Sequence, residues 1–221
     1  MLRPVVLVFV AIWFAPVPPP AAAAPVDPWA GLHGEMWDVN EVWSLSRAQA
    51  AIAGAAPTAQ FRATLFDYPS GQNTLASNKR LSEFLSHDAA SLTGPDRTMT
   101  TSVLRFSGFI DIAPGAHKLK VESDDGFGLW IAGAQVAAHE NQRSFGATET
   151  AFSVAEGGRL PFELLFFENR GVTGLRVALD GSTLGAERLS TQPAAIPLPG
   201  TAVLLLGALA SLALWRRRIA A

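Results

Sequence analysis

The stretch from Arg105 to Gly133, RFSGFIDIAPGAHKLKVESDDGFGLWIAG, commits this chain to β-structure and constrains what is built around it. Phe106, Phe109, Ile110 and Ile112 form a run rich in β-formers, Pro114-Gly115 supplies a turn, and Leu119 and Val121 alternate with Lys118, Lys120 and Glu122. After Ser123-Asp124-Asp125-Gly126 the alternation resumes at Phe127, Leu129 and Ile131. This reads as a central hairpin region with two adjacent carboxylates in its second turn. Neighbouring side chains on a strand point to opposite faces, so two aspartates together beside glycines favour a turn, a bulge or a bound cation. Gly126 and Gly128 permit such a turn.

The flanking sequence continues the pattern. Val26 to Val42 reads as an entry strand, and Ser44 to Ala53 as one short helix with a serine cap. Phe61 to Tyr68 reads as a strand, and Leu81, Phe84 and Leu85 stand at helical spacing inside a long polar connection. Four further strands are expected at Gln135 to His139, Glu149 to Val154, Leu160 to Glu168 and Gly174 to Leu179. Strands at this spacing without a βαβ rhythm predict an all-β, antiparallel sandwich or barrel with minor short helices. Leu184 to Pro199, with three prolines, reads as an extended tether.

Composition narrows the chemistry. Cysteine is absent, which excludes disulfides, thiol catalysis and thiolate metal sites, so any metal must be held by oxygen or imidazole. Setting aside Arg3 and the three arginines near the C-terminus, 13 basic residues face 19 acidic ones, so nucleic acid is a poor partner. His33, His87, His117 and His139 are scattered with no metal-binding spacing, and no nucleophile elbow or phosphate loop occurs. The expectation is a binding protein and not an enzyme.

The order FxGxI, PG, SDDG and LWIAG resembles the core of the PA14 domain family. The similarity begins at Gly31-Leu32-His33-Gly34-Glu35-Met36-Trp37 and runs through Glu156-Gly157-Gly158 and Phe166-Phe167-Glu168-Asn169 to about Asp180. The resemblance implies a PA14-like β-sandwich. In sugar-binding members such as yeast flocculins, a cis-linked Asp pair and an Asn from a late loop hold Ca²⁺, and sugar hydroxyls complete its shell. Asp124, Asp125 and Asn169 stand at the matching motif positions. The chain departs from those lectins in lacking cysteine, and Thr173 stands where they often carry an aromatic residue.

Both ends carry delivery signals. Residues 1–23 have one arginine, an apolar run and an alanine-rich end, the layout of a secretory signal peptide, with a permanent anchor as the alternative. Residues 24–183 would form the sandwich domain and 184–199 the linker. Residues 200–221 would form a hydrophobic helix ending in Arg216, Arg217 and Arg218, whose charge places that end in the cytoplasm and the body outside. Ile196-Pro197-Leu198-Pro199-Gly200 is similar to the Val-Pro-Leu-Pro-Ala variant of the PEP-CTERM sorting tails, departing from it at Ile196 and Gly200. That resemblance implies processing by an exosortase, with transient membrane anchoring and a cell-surface or extracellular destination. An ordinary transmembrane helix is the alternative.

Three readings of the Asp pair stay open: a turn that accepts backbone N–H groups with no ligand, a structural Ca²⁺, and Ca²⁺ with a glycan. The function expected is an exported recognition or adhesion module with Ca²⁺-dependent carbohydrate binding, its partner a glycan or exopolysaccharide. The alternative is a structural protein of an extracellular matrix or envelope that needs no specific ligand.

Overall fold

A computed structural model describes residues 27–193. The expected signal peptide, the Pro197-Leu198-Pro199 motif and the tail with Arg216, Arg217 and Arg218 lie outside the described residues. Among the described residues no helix is long and apolar enough to cross a membrane.

In chain order the elements are β1 (Leu32–Asp38), α1 (Leu45–Ile52), β2 (Ala59–Ala63), β3 (Asp67–Tyr68), β4 (Leu75–Ala76), α2 (Leu81–Leu85) with a 3-10 segment at Ser86–Ser91, β5 (Ser102–Ile112), β6 (Gly115–Asp124), β7 (Phe127–Ile131), β8 (Ala134–His139), β9 (Gly146–Val154), β10 (Gly158–Glu168), β11 (Val172–Leu179), β12 (Ser182–Thr183) and β13 (Leu189–Ser190). They form two antiparallel sheets. One has the order β2-β1-β5-β10-β7-β8, with β13 also on β5; the other has β12-β11-β6-β9, with β3 and β4 also on β11.

The expected sandwich and the helix from Ser44 are present, and the Ser44 hydroxyl accepts the Arg47 N–H. The central hairpin is not. β5 and β6 lie in different sheets, as do β6 and β7, so the Pro114-Gly115 and Asp125-Gly126 turns carry the chain across the sandwich and not back along one sheet. The cause is burial on both sides of β5, which pairs with β1 and β10 and leaves no lateral place for β6. The predicted strand at Phe61 to Tyr68 is likewise divided between sheets as β2 and β3.

The core lies between the sheets. Phe106 meets Phe61 edge-on at 5.7 Å and Phe66 at 5.0 Å, and Phe84 stacks on Phe166 at 6.1 Å. Burying each such ring contributes about 1.5–3 kcal/mol. A smaller apolar cluster of Val42, Leu45, Ala48, Val103, Leu165 and Phe167 seats α1 on the outer face of the larger sheet. β10 is therefore covered on both faces, and its last five residues, Leu164 to Glu168, are all buried.

The tether expected from Leu184 onward does not begin there. Leu184 and Leu189 are buried, β13 pairs with β5, and the Thr191 N–H donates to the Trp29 carbonyl at 2.8 Å. The prolines that suggested a linker lie at and after 193, whereas two leucines upstream fill the core. Among the described residues the two sheets and both core clusters are complete by Ser190.

Candidate metal and ligand site

Asp124 ends β6, and the next residues, Asp125 and Gly126, cross to β7 in the opposite sheet. The Asp124–Asp125 peptide bond is cis, as the resemblance implied. Gly126 is required here by space: a Cβ would lie 2.5 Å from the Phe167 ring and 2.6 Å from the His139 carbonyl oxygen. The Phe167 N–H donates to the Gly126 carbonyl at 3.0 Å, which brings the end of β10 against the turn. Glu168 arrives in this way beside the aspartates.

Asp124, Asp125 and Glu168 each offer a carboxylate oxygen within 4.8 Å of the others. All three are buried, at 5, 4 and 0 % exposure. Burial, then the charges of Asp125 and Asp124, push the Glu168 carboxyl up to about 9. Burial and the neighbouring Asp125 raise Asp124 to about 6, against weaker pulls from the Phe145 N–H and the Arg143 charge. Asp125 is raised by burial and held back by N–H groups from Asn169 and Arg143. Thr173 and Ser77 lie near enough to Glu168 to soften its shift, yet neither reaches hydrogen-bonding geometry. Both Glu168 carboxylate oxygens and the Thr173 hydroxyl are left buried without partners.

An unpartnered buried carboxylate costs several kcal/mol, so native proteins rarely keep one without a counter-ion or ligand. Three hard oxygen donors converging in a negatively charged pocket suit a hard divalent cation, with Ca²⁺ favoured by its tolerance of irregular geometry.

The surroundings fix the aspartates in place. Asp125 accepts the Arg143 N–H at 3.2 Å through one oxygen and the Asn169 N–H at 2.8 Å through the other. The Ser123 hydroxyl donates to the Asp125 carbonyl at 2.6 Å. The Arg143 guanidinium donates to the Ser123 carbonyl and hydroxyl at 3.1 and 2.8 Å and to the Thr148 hydroxyl at 2.9 Å, tying β6 to β9. The Asn169 carbonyl accepts the Thr101 N–H at 2.9 Å, so this half-buried residue is held beside Asp125 by its backbone. On the far side, β4 covers the start of β11, and the Ser77 N–H donates to the Gly171 carbonyl at 2.9 Å.

The structure therefore brings together Asp124, Asp125 and the Asn169 backbone, and adds two residues that sequence reading did not single out, Glu168 and Arg143. The signal for Glu168 was present: a charged residue directly after four apolar ones in a strand buried on both faces. Arg143 carried no comparable signal. The histidines lie elsewhere in function. His117 binds Asp180, His87 stacks on Tyr68, and His33 sits near Glu35. His139, closest to the acids, is lowered by its own burial and by Arg143. Trp130 packs partly against the smaller core cluster. Trp43 is exposed, with the Arg47 guanidinium 3.6 Å over its ring.

No family model matches the sequence, and no curated protein matches it. Solved structures do. The PA14 domain of the antifreeze protein MpAFP is 24 % identical, with a TM-score of 0.70 over 80 % of this chain and 98 % of that one. The PA14 sugar-binding domain of an RTX adhesin is 20 % identical, with a TM-score of 0.67 over 74 % of this chain and 99 % of that one. The A domain of epithelial adhesin 6 from Candida glabrata, in complex with Galβ1-3GlcNAc, is 12 % identical, with a TM-score of 0.51 over 79 % and 96 %. The fold is that of the PA14 domain.

Proposed function

We propose that this protein is an exported recognition or adhesion module that binds Ca²⁺ through Asp124, Asp125 and Glu168, with the Asn169 side chain as a further ligand, and presents the ion to a carbohydrate. The observation that carries the metal reading is the pair of partnerless Glu168 oxygens beside two buried aspartates. Polar satisfaction is the rule in folded proteins, and a divalent cation would satisfy all three acids at once. The carbohydrate reading draws support from solved neighbours that are a sugar-binding PA14 domain and an adhesin holding a disaccharide. Delivery to the surface would follow from residues 1–23 and from the Pro197-Leu198-Pro199 and Arg216-Arg217-Arg218 tail, with an exosortase as processing partner.

A structural matrix or envelope role is the second reading. The deep burial of the ligand set favours it, since a cation there can stitch the sheets without touching solvent. Thermal melting of the 27–193 unit in Ca²⁺ and in chelator tests the metal, and a glycan array run with and without chelator tests the sugar. A calcium-dependent rise with no glycan retained would leave the structural role; no rise would remove the metal reading.

A further inference from the structure

The margins of the two sheets are not alike. β2 is five residues long, and its outer side is covered by Thr93 bridging to Gln60 and by the Ser91 hydroxyl accepting the Arg62 N–H at 2.9 Å. β3, β4 and β12 have two residues each. β8 has six, and its pairing is broken between Leu129 and Trp130. β9 differs from all of these, pairing nine consecutive residues with β6 in unbroken register and with no strand hydrogen-bonded to its other side among the described residues. It contains no proline, lysine or bulge, devices by which soluble proteins make an edge unreceptive, and its one charge is Glu149. Its inward-facing Thr148, Thr150, Phe152 and Val154 are only half-buried. Beside it a groove of about 310 Å³ runs between β8 and β9, lined by Ile131, Val136, Phe152, Val154 and Leu160.

We propose that β9 is a self-association edge, at which a second copy of this chain adds its own β9 antiparallel across a two-fold axis. An axis at Thr150 pairs the whole strand: Gly146 with Val154, Ala147 with Ser153, Thr148 with Phe152, Glu149 with Ala151, and Thr150 with itself. The charge pattern selects this partner. Glu149 and Ala151 lie on the outer face, where β6 sets Lys120 beside Glu149 and Lys118 beside Ala151. In the symmetric register each Glu149 meets Ala151 of the second copy, with Lys118 of that copy one strand further on. Each row across the joined sheet then reads Lys120, Glu149, Ala151 of the second copy and Lys118 of that copy, so each Glu149 lies between two lysines and no like charges stand directly opposite. Moving the axis to Glu149 would set that carboxylate directly against its own copy, which disfavours that register. The product is one continuous sheet running through both copies and carrying two candidate metal sites.

Sedimentation equilibrium of the 27–193 unit over micromolar to millimolar concentration tests this, with Ala151→Glu and Ala151→Lys as paired variants and thermal melting to confirm that both fold. Ala151→Glu puts two Glu–Glu pairs at the interface and is expected to weaken dimerisation about tenfold. Ala151→Lys faces Glu149 of the second copy and is expected to tighten it severalfold. A protein that stays monomeric throughout overturns the proposal, and so does a dimer that responds alike to the two charges.

Discussion

The smaller sheet ends in acids at both extremities, and the two ends treat them in opposite ways. At one end Asp180 accepts the Lys118 N–H at 2.9 Å and a His117 ring nitrogen at 2.8 Å, while the other ring nitrogen of His117 reaches the Ala113 carbonyl at 2.8 Å. With an acceptor at each nitrogen the ring is held as the imidazolium. The Lys118 N–H and then His117 lower the Asp180 carboxyl, and Asp180 and then the Ala113 carbonyl raise His117. At the other end Asp124, Asp125 and Glu168 are all raised, burial being the first cause in each. An acid supplied with donors fastens a turn. Here the acids are buried together, and Glu168 is left with no donor at either oxygen.

The comparison breaks most visibly at Asp125. At a hundredfold excess of Ca²⁺ over Kd, binding adds about 2.7 kcal/mol. For a unit of this size that is a Tm rise of roughly 5–10 °C, which Asp125→Asn is expected to abolish in a calorimetric scan. Glu168→Gln comes next. Folding at pH 7 without metal must protonate Glu168 well above its ordinary pKa, at a cost of roughly 3 kcal/mol, so glutamine is expected to stabilise the metal-free protein by about 2–3 kcal/mol while weakening Ca²⁺ binding. Denaturant midpoints with and without chelator read both effects.

The pH profile sharpens the contrast further. Folded-state pKa values raised above the unfolded ones mean that the native state holds extra protons, so the contribution of these acids is full only below their unfolded values of 3.8 and 4.5 and is lost as pH rises through about 6 at Asp124 and about 9 at Glu168. Melting in chelator is expected to fall across that window, and saturating Ca²⁺ to reverse the slope, since the metal takes the deprotonated acids. At the opposite end the signs are the usual ones. Asp180 contributes above its unfolded pKa and loses this as pH falls through its lowered value, whereas the His117 contribution fades as pH rises through its raised value. The smallest effect is expected from Asp180→Asn, under about 1 kcal/mol because its side chain is 38 % exposed, with the calcium response unchanged.

Much of this was legible in the residues. The β-rich run, the paired aspartates and the late-loop Asn169 pointed to one turn, and the structure places all three together. Glu168 was read as the last residue of a strand, where a charge is unremarkable; only the knowledge that β10 is covered on both faces makes it anomalous. Arg143 could not be found locally, since its partners Ser123 and Thr148 belong to strands whose adjacency is a matter of topology. The sheet-crossing turns were hidden for the same reason. A Pro-Gly corner has the same local chemistry whether it returns along one sheet or passes to another, and long-range burial of β5 decides between them. Leu184 and Leu189 were hidden by proximity to prolines whose influence begins only at 193.

The pairing of β13 with β5 beside β1 has a mechanical consequence. Ala30 bridges to Ser190, so the chain enters and leaves the domain at one place, next to Phe109 and Ile110 of β5. Glu168 pairs with Ser102, seven residues along the same strand, roughly 23 Å away at the rise of an extended chain. The acids are thus held at the pole remote from the place where Ala30 and Ser190 meet. A pull applied at residue 193 would first unzip the two hydrogen-bonded residues of β13, a compliant fuse that yields before load reaches the far pole.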